Sequence, residues 1–483
     1  MSPRKSQMEQ ITRRSALRAA LGLSAVGISS RLGLPSIARA AEEVRSERRF
    51  VFCYFRGGWD QLLFLDPRDP AADGGRYADR NRALTLTDAR YASITDNHEG
   101  FEPSVIRAGN LTFGPATEKP GQKTPRLTKH ADRIAILRGM NMGTLGHEIG
   151  YRYFLTGRFP LGSAARGTSV ATECAAFAGS RLPIPVLALG LEAYNESYPG
   201  AYSAMRVERI DDLLLVLDRG KELLEKDPVE DALAEFAHRS SSCAVDVYDR
   251  TGFLARMREA DEGARVTLAS RLTQRFRFVT SDDAESALVR QTYGIQRGDA
   301  DSPGARAALA SLAIKQGIAQ CVSVALVSSL DTHFQANAGH AARLYPGINA
   351  LAALIDDLAT SEAPEALQKN GGRTWLDHTT ILAFSEFART PVFNLTGGRD
   401  HHLASSCLLA GAGIAGNKIV GRTSDVGMGA CQYDFKAGRV VPEGGEGIAP
   451  EHVRATLLAS AGLPTEGPGI HAPPIRELLA SSA

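Results

Sequence analysis

The chain has 483 residues, 43% hydrophobic and 23% charged, an ordinary globular composition with enough apolar side chain for a large core. Its 55 Lys and Arg against 54 Asp and Glu leave a net charge of +1, which argues against nucleic acid or another strongly anionic polymer as partner. No block of like charge reads as a solvating tail.

At the N-terminus, Thr12-Arg13-Arg14-Ser15-Ala16-Leu17 precedes a mildly apolar stretch that ends near Ile28. Ala38-Arg39-Ala40 follows, the small-x-small arrangement that signal peptidase cuts. Paired arginines before a weak Gly- and Ala-rich segment fit a twin-arginine signal over residues 1–40, with the mature protein periplasmic or extracellular. The apolar run is too short for an anchor and is interrupted by Arg18 and Arg31. No later stretch reaches the roughly 18 apolar residues of a membrane span, so no stable span is expected after signal removal.

Residues 41–483 read as one α/β domain. Arg49-Phe50-Val51-Phe52-Cys53-Tyr54-Phe55 is a continuous apolar run stopped by Gly57-Gly58, the pattern of a strand buried on both faces. Runs at 134–137, 186–189, 322–327, 380–384 and 406–410 repeat it, and a helical period runs through 341–358. Strands alternating with helices predict a mostly parallel central sheet with helices on both faces. Segments 210–224 and 229–238 carry helical patterns without intervening strands, so about 207–293 is expected to be a helical insertion. Residues 66–130, rich in Asp, Gly and Pro, read as a long elaborated loop.

Polar residues collect after the strands. The first delivers Arg56-Gly57-Gly58-Trp59-Asp60, the 322–327 strand Asp331-Thr332-His333, and the 380–384 strand Ser385-Glu386-Phe387-Ala388-Arg389. Asp400-His401-His402 precedes the next strand. In open parallel sheets ligands bind beyond the carboxyl ends of the strands, because the loops and helix N-termini converge there. Acids at three such ends with histidines beside them suit a divalent metal: zinc, manganese, magnesium or calcium. A single aspartate at a strand end is ordinarily a helix cap, and Asp60 and Asp331 each carry that alternative.

Six cysteines (53, 174, 243, 321, 407 and 431) show no C-x-x-C spacing, which disfavours a thiolate metal site. Three of them, Cys53, Cys321 and Cys407, lie in apolar runs as core thiols; pairing among Cys174, Cys243 and Cys431 stays open. Gly411-x-Gly413-x-x-Gly416 matches the dinucleotide spacing, but Asn417 to Gly421 continues as an extended segment and no acid follows at about 20 residues, so it reads as a tight loop. No G-x-S-x-G elbow is present, which disfavours a serine α/β-hydrolase.

Phe55-Arg56-Gly57-Gly58-Trp59-Asp60, Asp331-Thr332-His333, Ser385-Glu386-Phe387-Ala388-Arg389-Thr390-Pro391, Gly398-Arg399-Asp400-His401 and the Gly-rich segment 409–416 occur in that order. Together they resemble the DUF1501 family of twin-arginine-exported proteins, a branch of the alkaline phosphatase/sulfatase superfamily. The resemblance implies an alkaline-phosphatase-like fold in which Asp60, Asp331, Glu386, Asp400 and His401, with His333, supply metal ligands. Phe387 stands where that superfamily has a histidine. Phe154-Leu155-Thr156-Gly157 is similar to the turn after the sulfatase nucleophile, and the sulfatase spacing lands on His147, with Thr144 the nearest hydroxyl. Arg56, Arg152 and Arg389 are candidate clamps for an anionic ester. The expected function is an exported metal-dependent hydrolase of phosphate or sulfate esters. Its partner is a small anionic ester, or, in the alternative of a non-catalytic binding or assembly protein, a co-exported protein.

Overall fold

The computed structural model describes residues 47–69, 91–98, 100–180, 182–217, 276–334, 337–369, 371–466 and 471–481. All lie in a compact unit, Arg45–Ala483. The signal segment, the middle of the expected helical insertion and Cys243 lie outside the described residues.

Eight strands form the main sheet: β1 (Arg49–Phe55), β2 (Ile134–Asn141), β3 (Ile184–Leu189), β4 (Met205–Val207), β5 (Ala319–Val327), β6 (Thr379–Phe384), β7 (Ala404–Gly411) and β8 (Lys418–Gly421). Their order is β8-β2-β7-β6-β1-β5-β3-β4. Parallel pairings join β6, β1, β5, β3 and β4, and β8 pairs parallel with β2. Only β7 runs against its neighbours, β6 and β2. The sheet is therefore mixed α/β and mostly parallel, and each of the six expected apolar runs lies in one of its strands.

β1 shows why its run is apolar throughout. Successive side chains of a strand point to opposite faces. Phe50, Phe52 and Tyr54 enter one core, while Val51, Cys53 and Phe55 enter the other. Burying each such Phe contributes about 1.5–3 kcal/mol. The first core is closed by α1 (His147–Thr156), α2 (Val170–Phe177) and α6 (Pro450–Ser460). On the second face lie α3 (Ala284–Tyr293), α4 (Pro303–Lys315) and α5 (Asn337–Thr360). Helix α4 starts where Ser302 caps the Ala305 N–H and Pro303 occupies the first turn, since proline lacks only a donor that would be unpaired there.

The described flanks of the expected insertion are helical at 210–217 and in α3. The Gly411 to Gly416 segment turns directly into strand β8 rather than opening a helix. No described helix is long and apolar enough to cross a membrane.

Candidate metal centre

Every parallel strand of the sheet ends on one edge, and the reversed strand β7 begins on that same edge. Residues after β1, β5 and β6 therefore meet the residues just before β7. Residues 388–389 and 401–402 pair as a short antiparallel ladder, with His401 opposite Arg389, which brings Asp400 and His401 to the ends of the parallel strands.

His147 opens helix α1 behind the cap residue Gly146. Ligand atoms of His147, Asp331 and His401 all lie within 4.8 Å of one another. His333 joins them: its Nε2 is 2.9 Å from Asp331 Oδ1 and 3.0 Å from His401 Nε2. His401 Nε2 is 3.1 Å from the same Asp331 oxygen, and His147 Nε2 is 3.4 Å from Asp331 Oδ2.

Each imidazole is held from behind. His147 Nδ1 is 2.7 Å from Glu386 Oε1, His333 Nδ1 is 2.7 Å from Asp400 Oδ1, and His401 Nδ1 is 2.7 Å from the Leu145 carbonyl. Ionised carboxylates and carbonyls only accept, so each Nδ1 carries the hydrogen and donates it. Each Nε2 then presents a lone pair inward, toward the Asp331 carboxylate. Arg389 offsets part of this negative potential, donating Nη2 to Asp331 Oδ1 at 2.7 Å with Nη1 3.5 Å from His333 Nε2, and a proton or metal ion among the inward lone pairs would offset the rest. The 2.9–3.4 Å spacings, which run to both Asp331 oxygens, are of the order of the roughly 3.3 Å separation between neighbouring ligand atoms on a zinc ion with bonds of about 2.0–2.1 Å. The donor set therefore fits a borderline divalent ion such as zinc better than calcium or magnesium, which prefer six or more oxygens.

Electrostatics follow the same layout. Asp331 is held well below the usual carboxylate range: its partial burial opposes ionisation, but the hydrogen bond and charge of Arg389 outweigh it. At His147 burial disfavours the charged ring, yet the Glu386 hydrogen bond and charge prevail and raise its pKa. His401 is shifted downward, first by burial and then by Arg389 and His147 nearby. Asp400 is lowered chiefly by its hydrogen bond to His333.

Several expected ligands take other places. Asp60 does not join the cluster. It is buried, accepts from the Leu62 and Leu63 N–H groups (2.9 and 3.4 Å) and pairs with Arg399 Nε at 3.0 Å, so its oxygens are committed to the turn that follows it and to an ion pair. Glu386 and Asp400 stand one step back, on histidines rather than at the centre. Glu386 also accepts from the Gly57 N–H (2.8 Å) and from Ser385 (3.0 Å), which fixes it in a fully buried position. Arg389 cannot clamp a substrate. Its guanidinium is buried and donates to the Gly57, Gly58 and Arg399 carbonyls and, at 2.7 Å, to Asp331 Oδ1. Thr144 Oγ1 accepts from the Gly146 N–H (3.0 Å) and shapes the loop before His147. Arg152 is engaged by Glu148 and Glu192, and Arg56 lies 3.7 Å from Glu148.

Three further contributors were not among the expected site residues. Phe387 packs at a tilt against His401 (centroids 4.2 Å) and His147 (4.7 Å), an apolar wall beside two imidazoles at the position where the resembled superfamily has a histidine. The Leu145 carbonyl orients His401. Gly57, at φ +112°, lets the chain leave β1 against Asp331; a Cβ there would stand 2.6 Å from the Leu330 and Asp331 backbone nitrogens. The Gly-Gly pair after the first strand signalled only a turn. Cys53, Cys174, Cys321 and Cys407 are buried free thiols, and Cys431 is free and half-buried.

No curated protein matches this chain. Among solved structures it is similar to one described as "Crystal structure of Ps i-CgsB in complex with k-i-k-neocarrahexaose", at 10% identity and a TM-score of 0.29, over 87% of this chain and 73% of that chain. A likeness so weak says nothing about the chemistry of either protein. The family model described as "Protein of unknown function (DUF1501)" matches residues 47–440, nearly all of the α/β unit, and the chain belongs to that family.

Proposed function

We propose that the protein is an exported metal-dependent hydrolase of phosphate or sulfate esters, built on an alkaline-phosphatase-like fold. One observation carries this reading: the Nε2 atoms of His147, His333 and His401 converge on the Asp331 carboxylate with every Nδ1 hydrogen already committed. His147, His333, His401 and Asp331 would hold one divalent cation, which when bound supplies Lewis acidity and water activated near neutral pH. Net hydrolysis places a water oxygen on phosphorus or sulfur, breaks the ester bond and releases the alcohol with a proton.

The chain's own residues set up that step. Glu386, Asp400 and the Leu145 carbonyl lock the rings so that only Nε2 faces inward. Arg389 holds Asp331 ionised and in place from the buried side. Phe387 walls the rings on one side and limits water there. Among the described residues, no Ser, Thr or Cys side chain is hydrogen-bonded to the side chain of any of the four ligands (Thr396 Oγ1 reaches only the His333 carbonyl), which favours direct attack by water over a covalent enzyme intermediate.

The alternative is a non-catalytic binding or assembly protein. It is favoured by apolar side chains exposed on the loops that carry the ligands: Leu145, Phe334, Leu395 and Leu403. Elemental mass spectrometry on protein purified without chelator, beside the double variant His147→Ala/His401→Ala, separates the two. About one metal per chain, lost in the variant, followed by turnover of p-nitrophenyl phosphate or sulfate, supports the hydrolase. Metal without turnover across both esters moves the assignment to the binding protein, and no metal removes the centre itself.

A further inference from the structure

A cleft of about 180 Å³ opens beside His147, at the ends of β1, β3 and β4. Arg56, Glu148, Tyr151, Glu192, Arg206 and Glu208 line it. It lies on the edge of the sheet where ligands of parallel sheets bind, and His147 is shared between the cleft and the metal centre.

The lining charges are of both signs and are not cancelled in the same way. Arg152 holds Glu192 through two bonds of 3.0 Å and Glu148 through one of 2.9 Å. Arg56 reaches Glu148 only at 3.7 Å. Among the described residues, the Arg206 guanidinium and the Glu208 carboxylate are held by no hydrogen bond or close ion pair, although they stand two residues apart at the end of β4. An anionic ligand entering here would face three carboxylates. A cationic ligand would face two guanidiniums. An uncharged group bearing several hydroxyls meets donors at the arginines and acceptors at the glutamates, and each hydroxyl both donates and accepts. Size narrows the class further, because drug-sized ligands occupy about 300–1,000 Å³ and this cleft is smaller. It accommodates one small unit rather than an extended chain.

We infer that this cleft binds the alcohol portion of the ester and that this portion is an uncharged, hydroxyl-rich unit, a small polyol or a single sugar ring. Arg206 and Glu208, at the end of β4, set the specificity of the cleft they share with His147. The inference rests on the ester-hydrolase reading for the identity of the bound group as an alcohol, but binding of the hydroxylated unit itself needs no metal.

Ligand-observed saturation-transfer NMR tests it with glycerol and the methyl α-glycosides of glucose, galactose and mannose. The full protein is used with and without metal, beside Arg206→Ala and Glu208→Gln, both exposed positions whose fold is checked by circular dichroism. The expected result is saturable binding of at least one probe to the wild type in both metal states, weakened about tenfold or more in each variant, as loss of a hydrogen bond to a charged group predicts. Inorganic sulfate should show no binding to the metal-free protein. Failure of all four probes overturns the inference, as does sulfate binding to metal-free protein that Arg206→Ala abolishes, since that is an anion cleft. Metal content of the protein as purified without chelator reports separately on the hydrolase: protein that never carried metal yet binds a glycoside through Arg206 keeps the cleft and removes the ester chemistry.

Discussion

His147 and Glu386 stand 239 positions apart in the chain and 2.7 Å apart in space, Nδ1 to Oε1. The carboxylate is buried out of water while the imidazole stays partly exposed, so the pair orients the ring rather than merely linking two surface charges. Glu386→Gln keeps the shape and removes the charge. It should weaken metal binding by about 10- to 100-fold, the usual effect of losing a carboxylate behind a ligating histidine. Competition with a chelating dye gives the affinity, and an unchanged value would remove Glu386 from the centre.

Asp60 makes the opposite prediction. Its buried pair with Arg399 means that Asp60→Ala leaves the buried Arg399 guanidinium without its carboxylate counter-charge, at a cost of about 3–5 kcal/mol. Denaturant unfolding should show that loss, while metal stoichiometry in the remaining folded protein stays at the wild-type value. Loss of metal from a fully stable variant would contradict the placement of Asp60 as a turn and ion-pair partner.

His340 is buried, and burial, reinforced by Arg389, Arg399 and Arg343, pushes its pKa down to about 3. The geometry explains why it stays neutral: Nε2 accepts from the Asp60 N–H (2.9 Å), and Nδ1 lies 2.6 Å from Thr332 Oγ1. Protonation would turn Nε2 into a donor facing another donor. The unfolded ring titrates near 6.5, so the unfolded chain binds the proton first. The stability is present above about pH 6.5 and is lost as pH falls toward 3, up to a value on the order of 4–5 kcal/mol. Thermal midpoints of metal-free protein between pH 7 and 4 should fall more steeply for the wild type than for His340→Gln. Equal slopes would refute the assignment.

Gly57→Ala tests the turn that brings β1 against Asp331. A Cβ at φ +112° meets backbone nitrogens at 2.6 Å, and backbone cannot swing aside as a side chain does. The variant should lose about 2 kcal/mol or more of stability. Metal affinity should fall with it, because Asp331 must move. Retention of both values would mean that the loop is looser than these contacts imply.

The six strands were legible because a buried parallel strand needs apolar side chains on both faces, and a run such as Phe50 to Phe55 has no other economical fate in water. Asp331, His333 and His401 were legible as candidates because polar residues cluster where strands stop. Their roles were not. Whether a carboxylate is a ligand, an orienter or a cap depends on what lies within about 3 Å, and those neighbours come from distant parts of the chain. Asp60 meets Arg399, Glu386 meets His147, and Asp400 meets His333. The composition and order of residues determined a large mostly parallel sheet and the edge at which chemistry could gather. Only the tertiary structure decided that β7 runs backward, which delivers His401 to that edge, where it meets His147 and Asp331 with His333 alongside. Strand direction is set by long-range pairing and by the path of the connections, and no local pattern of side chains encodes it.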